Sequence, residues 1–435
     1  MNKQLLCGAA ERITTPHLGV DMPGYFGTRK STAVKDDLYA QAIVLDDGEM
    51  LMAVFSIDIL DFVASFSNAV RRRLAEAIGI EEKAIVLAAT HAHTSHATNY
   101  TGFAVKKNTR VMKRLEDLCV EAGIEAYKSR VPVTMKRGSG EQKGISFCRN
   151  FFSTDGSAAT NPKVGTDPNT MRPMYEIDYR VEVLRFDDAS GKTVAQIVNF
   201  ACHPDVVGGH EFCADYPGVL RRILKERFGK ESVVAFLNGC AGNINHIDAY
   251  KRMVGYKYPA DHYVYMGETL AGEVLRIHDE ELRAVEHAEL GVENQVFRAK
   301  RRQPSEADIA FSKRVLAEEV PERHDIVYAE EIKMMCDHPK FFENVEVQAL
   351  RMGESVLVAL PGEIFCDIGQ RIKERSGFEQ CMVVQLVGGT VGYVVSEPAF
   401  SAGVYESKLS RYNSSLYPEA GDRMVEVADQ LMKKL

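Results

Sequence analysis

Residues 50–93, MLMAVFSIDILDFVASFSNAVRRRLAEAIGIEEKAIVLAATHAH, decide how this chain is read. Met50–Ile57 is an apolar run of strand length, and Phe66–Ile78 carries apolar side chains at helical spacing, with Ser67 or Asn68 as a candidate cap. Gly79 stops the helix, and the apolar run Ala84–Ala89 follows, leading into Thr90-His91-Ala92-His93. This is a strand–helix–strand unit. A second runs from Thr193–Phe200 through a helix at Pro217–Phe228 into Ser232–Leu237, with Pro217 suited to a first helical turn. A third runs from Ser355–Leu360 through a helix at Ile364–Arg375 into Cys381–Val387. Near-continuous apolar runs between helices indicate buried parallel strands. The expected fold class is therefore α/β, a mostly parallel sheet with flanking helices and inserted loops. Right-handed crossovers would put the strand ends on one edge, where such sheets bind ligands.

The rest of the chain sets limits on function. A formal charge of −8 over 435 residues argues against nucleic acid as the main partner. No run is long enough for a membrane span, and the first apolar stretch is broken too soon, by Glu11 and Arg12, for a signal peptide. The nine cysteines form no C-x-x-C pair and fit reduced thiols. A cytoplasmic protein acting on a small molecule is expected, with homo-oligomerisation left open. No shift in composition marks a boundary, so residues 1–435 are expected to form one domain. Its inserted segment lies around 100–175, with a helix at Val111–Lys128 and a polar stretch, Ser153–Thr170, expected as a long surface loop or lid. Residues 286–300 alternate like an edge strand, Ala307–Val320 reads as a helix, and Lys300-Arg301-Arg302 reads as a solvated face.

Polar residues follow each unit. His91 and His93 leave the same face of an extended chain and can reach one ion, or they are a hydrogen-bonded pair at a strand end. His203 follows a buried strand and is stiffened by Pro204. Glu363 is expected to open a helix, where the macrodipole favours an acid whether or not it binds a ligand. Tyr393 follows the last strand through Gly388, Gly389 and Thr390. Two histidines, a carboxylate and a third histidine or tyrosine suit zinc at the C-terminal strand ends. His96 is expected in an outer or surface role, and Asp58 is a further candidate at the same edge. In the segment Asn238–Asn245, small residues permit close backbone approach, and Cys240 is either a nucleophile or a small buried cysteine.

In motif order the chain resembles the neutral, non-lysosomal ceramidase family. ATHAHTS (89–95), NFACHPD (199–205), ALPGEIF (359–365) and VGYVVSEPAFSAGVYE (391–406) are similar to that family's segments. The resemblance implies a catalytic zinc ion held by His91, His203, Glu363 and Tyr393. It places His93, Arg149 of FCRNFF and Tyr405 around the reacting centre, with Gly24 of MPGYFG approaching through backbone. Tyr393, a phenol of ordinary pKa ~10, would need the ion to hold it as phenolate. The chain departs from the family at Gly242-Asn243-Ile244-Asn245, where Asn245 stands in place of a serine implicated in catalysis. Neither the family's secretion signal nor its C-terminal immunoglobulin-like domain is expected here.

The expectation is a zinc-dependent hydrolase that uses activated water to cleave an amide, or less readily an ester, in a small soluble N-acyl compound. His93 would be the general acid/base. Arg149 and Tyr405 would steady the oxyanion or orient the substrate, and Asn245 would donate a hydrogen bond. The alternatives are a ceramidase proper, a zinc-dependent lyase or epimerase, a cysteine hydrolase using Cys240, and a non-catalytic zinc-dependent binding protein.

Overall fold

The computed structural model describes residues 4–98, 107–251 and 258–435. Its largest element is a nine-stranded sheet, and a four-stranded sheet packs against it. All three units from the sequence are present as parallel pairs. Leu51–Ile57 pairs with Ile85–Ala89, Thr193–Phe200 with Val233–Asn238, and Ser355–Ala359 with Gln380–Val384. The first two pairs are opposite ends of the large sheet, and the third lies in the small one.

The expectation of a mostly parallel sheet is overturned. Between the two parallel ends, Arg180–Asp188, Val131–Glu141, Leu6–Ile13 and Tyr39–Asp46 run antiparallel to their neighbours. In the small sheet, Leu290–Lys300, Phe342–Met352 and Ser355–Ala359 are also antiparallel, with residues 290–300 at the edge as expected.

The reason lies in the layers. Leu184, Ile197, Ala235 and Leu237 of the large sheet share one core with Leu350, Leu357, Met382 and Val384 of the small sheet. Their neighbours Val183, Val198 and Phe236 turn the other way and pack with Leu220 and Leu270, from helices Asp215–Phe228 and His262–Arg276. On the small sheet, Val347, Val356 and Val383 face Ile368 and Val425, from helices Cys366–Arg375 and Glu419–Met432. The order is helix, sheet, sheet, helix. Each sheet is covered on both faces, so an antiparallel strand such as Tyr39–Asp46 is buried along almost its whole length, as the parallel ones are.

The helix of the first unit spans Ala64–Ile78 and buries Phe66, Val70 and Leu74. Ser67 lies inside it, Val63 is the cap residue without a side-chain cap bond, and Gly79 ends it at φ 73°. Thr109–Lys128 and Glu306–Leu316 match expected helices, the latter opened by a Ser305–Asp308 capping box. The Ser153–Thr170 stretch is not a plain loop. Its Ala158–Thr160 strand pairs with Asn150–Ser153, which also pairs with Met171–Pro173. Among the described residues no helix is long and apolar enough to cross a membrane.

Candidate metal centre

His91 and His203 are set by the loops that leave their partner strands. After Leu51–Ile57, the carbonyl of Ile59 accepts His91 N–H at 3.0 Å and that of Leu60 lies 2.9 Å from His91 Nδ1. After Val233–Asn238, the carbonyls of Ala241 and Ile244 lie 2.8 and 2.9 Å from His203 Nδ1. A carbonyl can only accept, so each ring carries its proton on Nδ1 and turns the Nε2 lone pair inward. His91 takes a left-handed φ of 74°, a strained conformation for a residue with a side chain.

Glu363 receives both rings. Its Oε2 lies 3.2 Å from His91 Nε2 and 3.1 Å from His203 Nε2. Glu363 does not open the helix, which starts at Cys366. It forms a two-residue strand, Glu363–Ile364, parallel to Tyr393–Val394, and the register places Glu363 opposite Tyr393. Gly242 lets this strand approach, because a Cβ there would come within 2.8 Å of the Glu363 carbonyl oxygen. The small residues of 238–245 thus admit a neighbouring backbone.

The electrostatics favour a cation between these groups. Burial works against charge on His91, but Glu363 overcomes it and lifts the imidazole pKa. Burial opposes the Glu363 carboxylate too, and His91 and His203 nevertheless hold it well below the usual range. Burial, with Arg149 beside it, pushes His203 down to about 4, so its Nε2 keeps a free lone pair at neutral pH. The Nε2 or Nδ1 atoms of His91, His93 and His203 include one set all within 4.8 Å of one another. Two oriented imidazoles and a carboxylate converging on one point, with the Arg149 guanidinium at the His203 side, are a set that fits zinc.

His93 sits beside this group, its Nε2 3.3 Å from His91 Nε2 and its Nδ1 3.4 Å from Asp205 Oδ1. Burial, then the neighbouring His91 and His203, hold His93 well below its ordinary pKa. Gly24 closes over it at φ +98°, where a Cβ would come within 2.6 Å of His93 Nδ1. Asp205 also accepts the Tyr25 hydroxyl, and burial pushes its carboxyl up to about 6.

Arg149 lies on the opposite flank. Its Nη2 donates to the Gly242 carbonyl at 2.7 Å and to Tyr393 Oη at 3.1 Å, and its Nη1 lies 3.4 Å from His203 Nε2. The strand Phe147–Cys148 pairs with Ile244–Asn245, so two segments read separately in the sequence form one ladder. Tyr405 meets Tyr393 edge to face at 6.3 Å between ring centres, and burial raises its phenol to about 12. Burial and then Glu363 hold the Tyr393 phenol well above its ordinary value, so only a strong adjacent cation would make it phenolate.

Some sequence candidates take other roles. Asn245 donates from Nδ2 to Asn161 at 2.7 Å and accepts Ile247 N–H at 2.9 Å, so both ends of its amide are engaged within the protein. Asp58 is a buried structural acid, bonded to Tyr39 N and Arg221 Nη2. His96 is buried rather than at the surface, and neither ring nitrogen has a hydrogen-bond partner among the described residues. The Cys240 side chain packs on the helix at Gly369, and burial pushes its thiol far above the usual range. Two residues of the site escaped the sequence analysis as participants. Asp205 stood in a quoted motif, but nothing linked it to His93. Glu406, wholly buried, accepts from Arg149 Nε at 2.6 Å across 257 residues of chain, a separation no local pattern reveals.

An αββα sandwich with a histidine–carboxylate centre at the ends of its parallel strands is the class this geometry defines. As a sequence, the chain matches no family model and no curated protein. As a structure, it is similar to the neutral ceramidase from Pseudomonas aeruginosa, with a TM-score of 0.75 at 18% identity, covering 100% of this chain and 75% of that one. A ceramidase complexed with C2 gives a TM-score of 0.75 at 17% identity, covering 100% of this chain and 76% of the other. The chain has a neutral-ceramidase-like fold.

Proposed function

We propose that this protein is a zinc-dependent hydrolase of amide bonds in short, water-soluble N-acyl compounds, with residues 1–435 acting as one catalytic unit. The observation that carries the reading is the convergence of His91 Nε2 and His203 Nε2 on Glu363 Oε2, at 3.2 and 3.1 Å. These three residues and Tyr393 would hold the ion. Bound zinc would polarise a carbonyl and acidify a water to pKa ~7.

The chain's own groups supply the rest. Arg149 donates from its inward guanidinium edge to the acyl oxygen and stabilises charge developing there. His93, neutral at pH 7, accepts a proton on Nε2 and returns it to the departing nitrogen. Asp205, against Nδ1, favours that tautomer. Tyr405 borders the acyl side, and Gly24 keeps the space over His93 narrow. Asn245 braces the Asn161 segment and does not meet the substrate.

Ceramidase proper is the second reading, and the fold likeness favours it. Against it we set the sequence departure at Asn245, where that family carries a serine, and the polar composition of Ser153–Thr170. The test has two parts. Purified protein should carry about one zinc per chain, and His91→Ala and His203→Ala should each lose most of it while remaining folded. Full zinc in both variants would refute the ligand set. Soluble N-acyl amides should turn over faster than ceramide in detergent, and the reverse order would assign the protein to ceramide.

A further inference from the structure

Arg149 has five N–H groups, and the structure accounts for most of them. The two on Nη2 are directed to the Gly242 carbonyl and Tyr393 Oη, at 2.7 and 3.1 Å. The one on Nε goes to Glu406 Oε1 at 2.6 Å. Among the described residues Nη1 meets no oxygen acceptor and lies 3.4 Å from His203 Nε2, facing the metal centre. Glu406 is 0% exposed, and its second oxygen accepts from Asn150 Nδ2 at 2.9 Å and Thr160 Oγ1 at 3.2 Å. Fully enclosed, Glu406 cannot meet a substrate. A carboxylate with three fixed donors is itself immobile, and its charge-assisted bond to Nε fixes the far side of the guanidinium plane.

We propose that Glu406 is a positioning residue, which holds Arg149 so that the Nη1 edge, whose one N–H contact is the long 3.4 Å one to His203 Nε2, meets the oxygen of a bound acyl group. The proposal rests on the hydrolase reading above. A buried ion pair that only tied the Asn150–Ser153 strand to the segment around Tyr405 would show the same distances, so the test must separate the two roles.

Glu406→Gln, Arg149→Ala and the double variant are loaded with zinc, and their metal content is measured. Acetohydroxamate, which presents an acyl oxygen to a metal centre, is titrated into each by calorimetry. Each single variant should keep its zinc and bind the probe about tenfold more weakly or worse. The double variant should bind no more weakly than Arg149→Ala, because Glu406 acts through Arg149. Added guanidinium ion should restore binding to Arg149→Ala and leave the double variant unchanged, which a purely structural pair would not produce. Additive losses, wild-type affinity in Glu406→Gln, or equal guanidinium rescue in both backgrounds would overturn the proposal. Should Glu406→Gln fail to fold, the rescue comparison between Arg149→Ala and the double variant decides alone, since the double variant leaves no unpaired buried charge. A wild-type protein that takes up neither zinc nor probe would overturn the hydrolase reading together with this one. Zinc uptake and probe binding with additive losses would overturn this one only.

Discussion

The parallel pairs and the antiparallel middle of this molecule differ in what they deliver. His91, His203, Glu363 and Tyr393 all follow strands that belong to parallel pairs. None of the four follows one of the antiparallel middle strands Leu6–Ile13, Tyr39–Asp46, Val131–Glu141 or Arg180–Asp188. Parallel neighbours end on the same edge, so residues far apart in sequence come together there. Antiparallel neighbours end on opposite edges and contribute core instead. The two parallel ends of the large sheet and the parallel pair of the small one can therefore face one ion together.

The largest expected effect lies in the corner itself. His93→Ala should keep its zinc yet lose turnover by ~100- to 10,000-fold, the range for removing a general acid/base. Metal analysis and steady-state rates on one preparation check it. A zinc-free variant would make His93 a ligand alongside His91 and His203, and the division of labour within the corner would fail.

The same contrast explains what the sequence disclosed. The three parallel units were legible because each is local, an apolar run, an amphipathic helix and a second run within about fifty residues. Their terminal histidines and Glu363 were legible with them. Val131–Glu141, VPVTMKRGSGE, carries no such signal, and its partners lie far away at Leu6–Cys7 and Arg180–Asp188. The apolar runs read as parallel strands are parallel, and the expectation failed only where it was extended to the strands between them. Glu363 was placed on a helix because Pro361-Gly362 followed by an amphipathic run looks like a helix start. The ladder to Tyr393–Val394 is non-local and claimed the residue instead. Glu406 was unreadable for the same reason, its partners being side chains at Arg149, Asn150 and Thr160.

A second prediction moves to the interface between the sheets. Leu357 is 0% exposed and belongs to the core shared by both sheets. Leu357→Ala should cost ~2–5 kcal/mol of unfolding free energy, the transfer term plus the cavity left in a layer that cannot collapse. Denaturant melts measure that loss. Zinc content below the melting range should stay at the wild-type level, because the loops that orient His91 and His203 are anchored by backbone carbonyls at residues 59–60 and 241–244. Loss of zinc in a folded Leu357→Ala protein would show that the core and the corner are not separable.

The smallest effect is expected at Cys240, which lies next to the corner in sequence and outside it in chemistry. It is 6% exposed, and its Sγ would be 2.7 Å from a Cβ at Gly369, so the thiol is directed at the helix behind the site. Burial disfavours the thiolate, which is the nucleophilic form. Cys240→Ser should therefore turn over within a small factor of wild type. Its cost should appear in stability instead, at ~1–3 kcal/mol, because a buried hydroxyl without a partner replaces a weakly polar thiol. Rates at a fixed zinc load and a denaturant melt of the same sample separate the two quantities. A folded, zinc-loaded Cys240→Ser protein with no turnover would transfer the chemistry to the thiol and leave the histidine–carboxylate corner as scaffold.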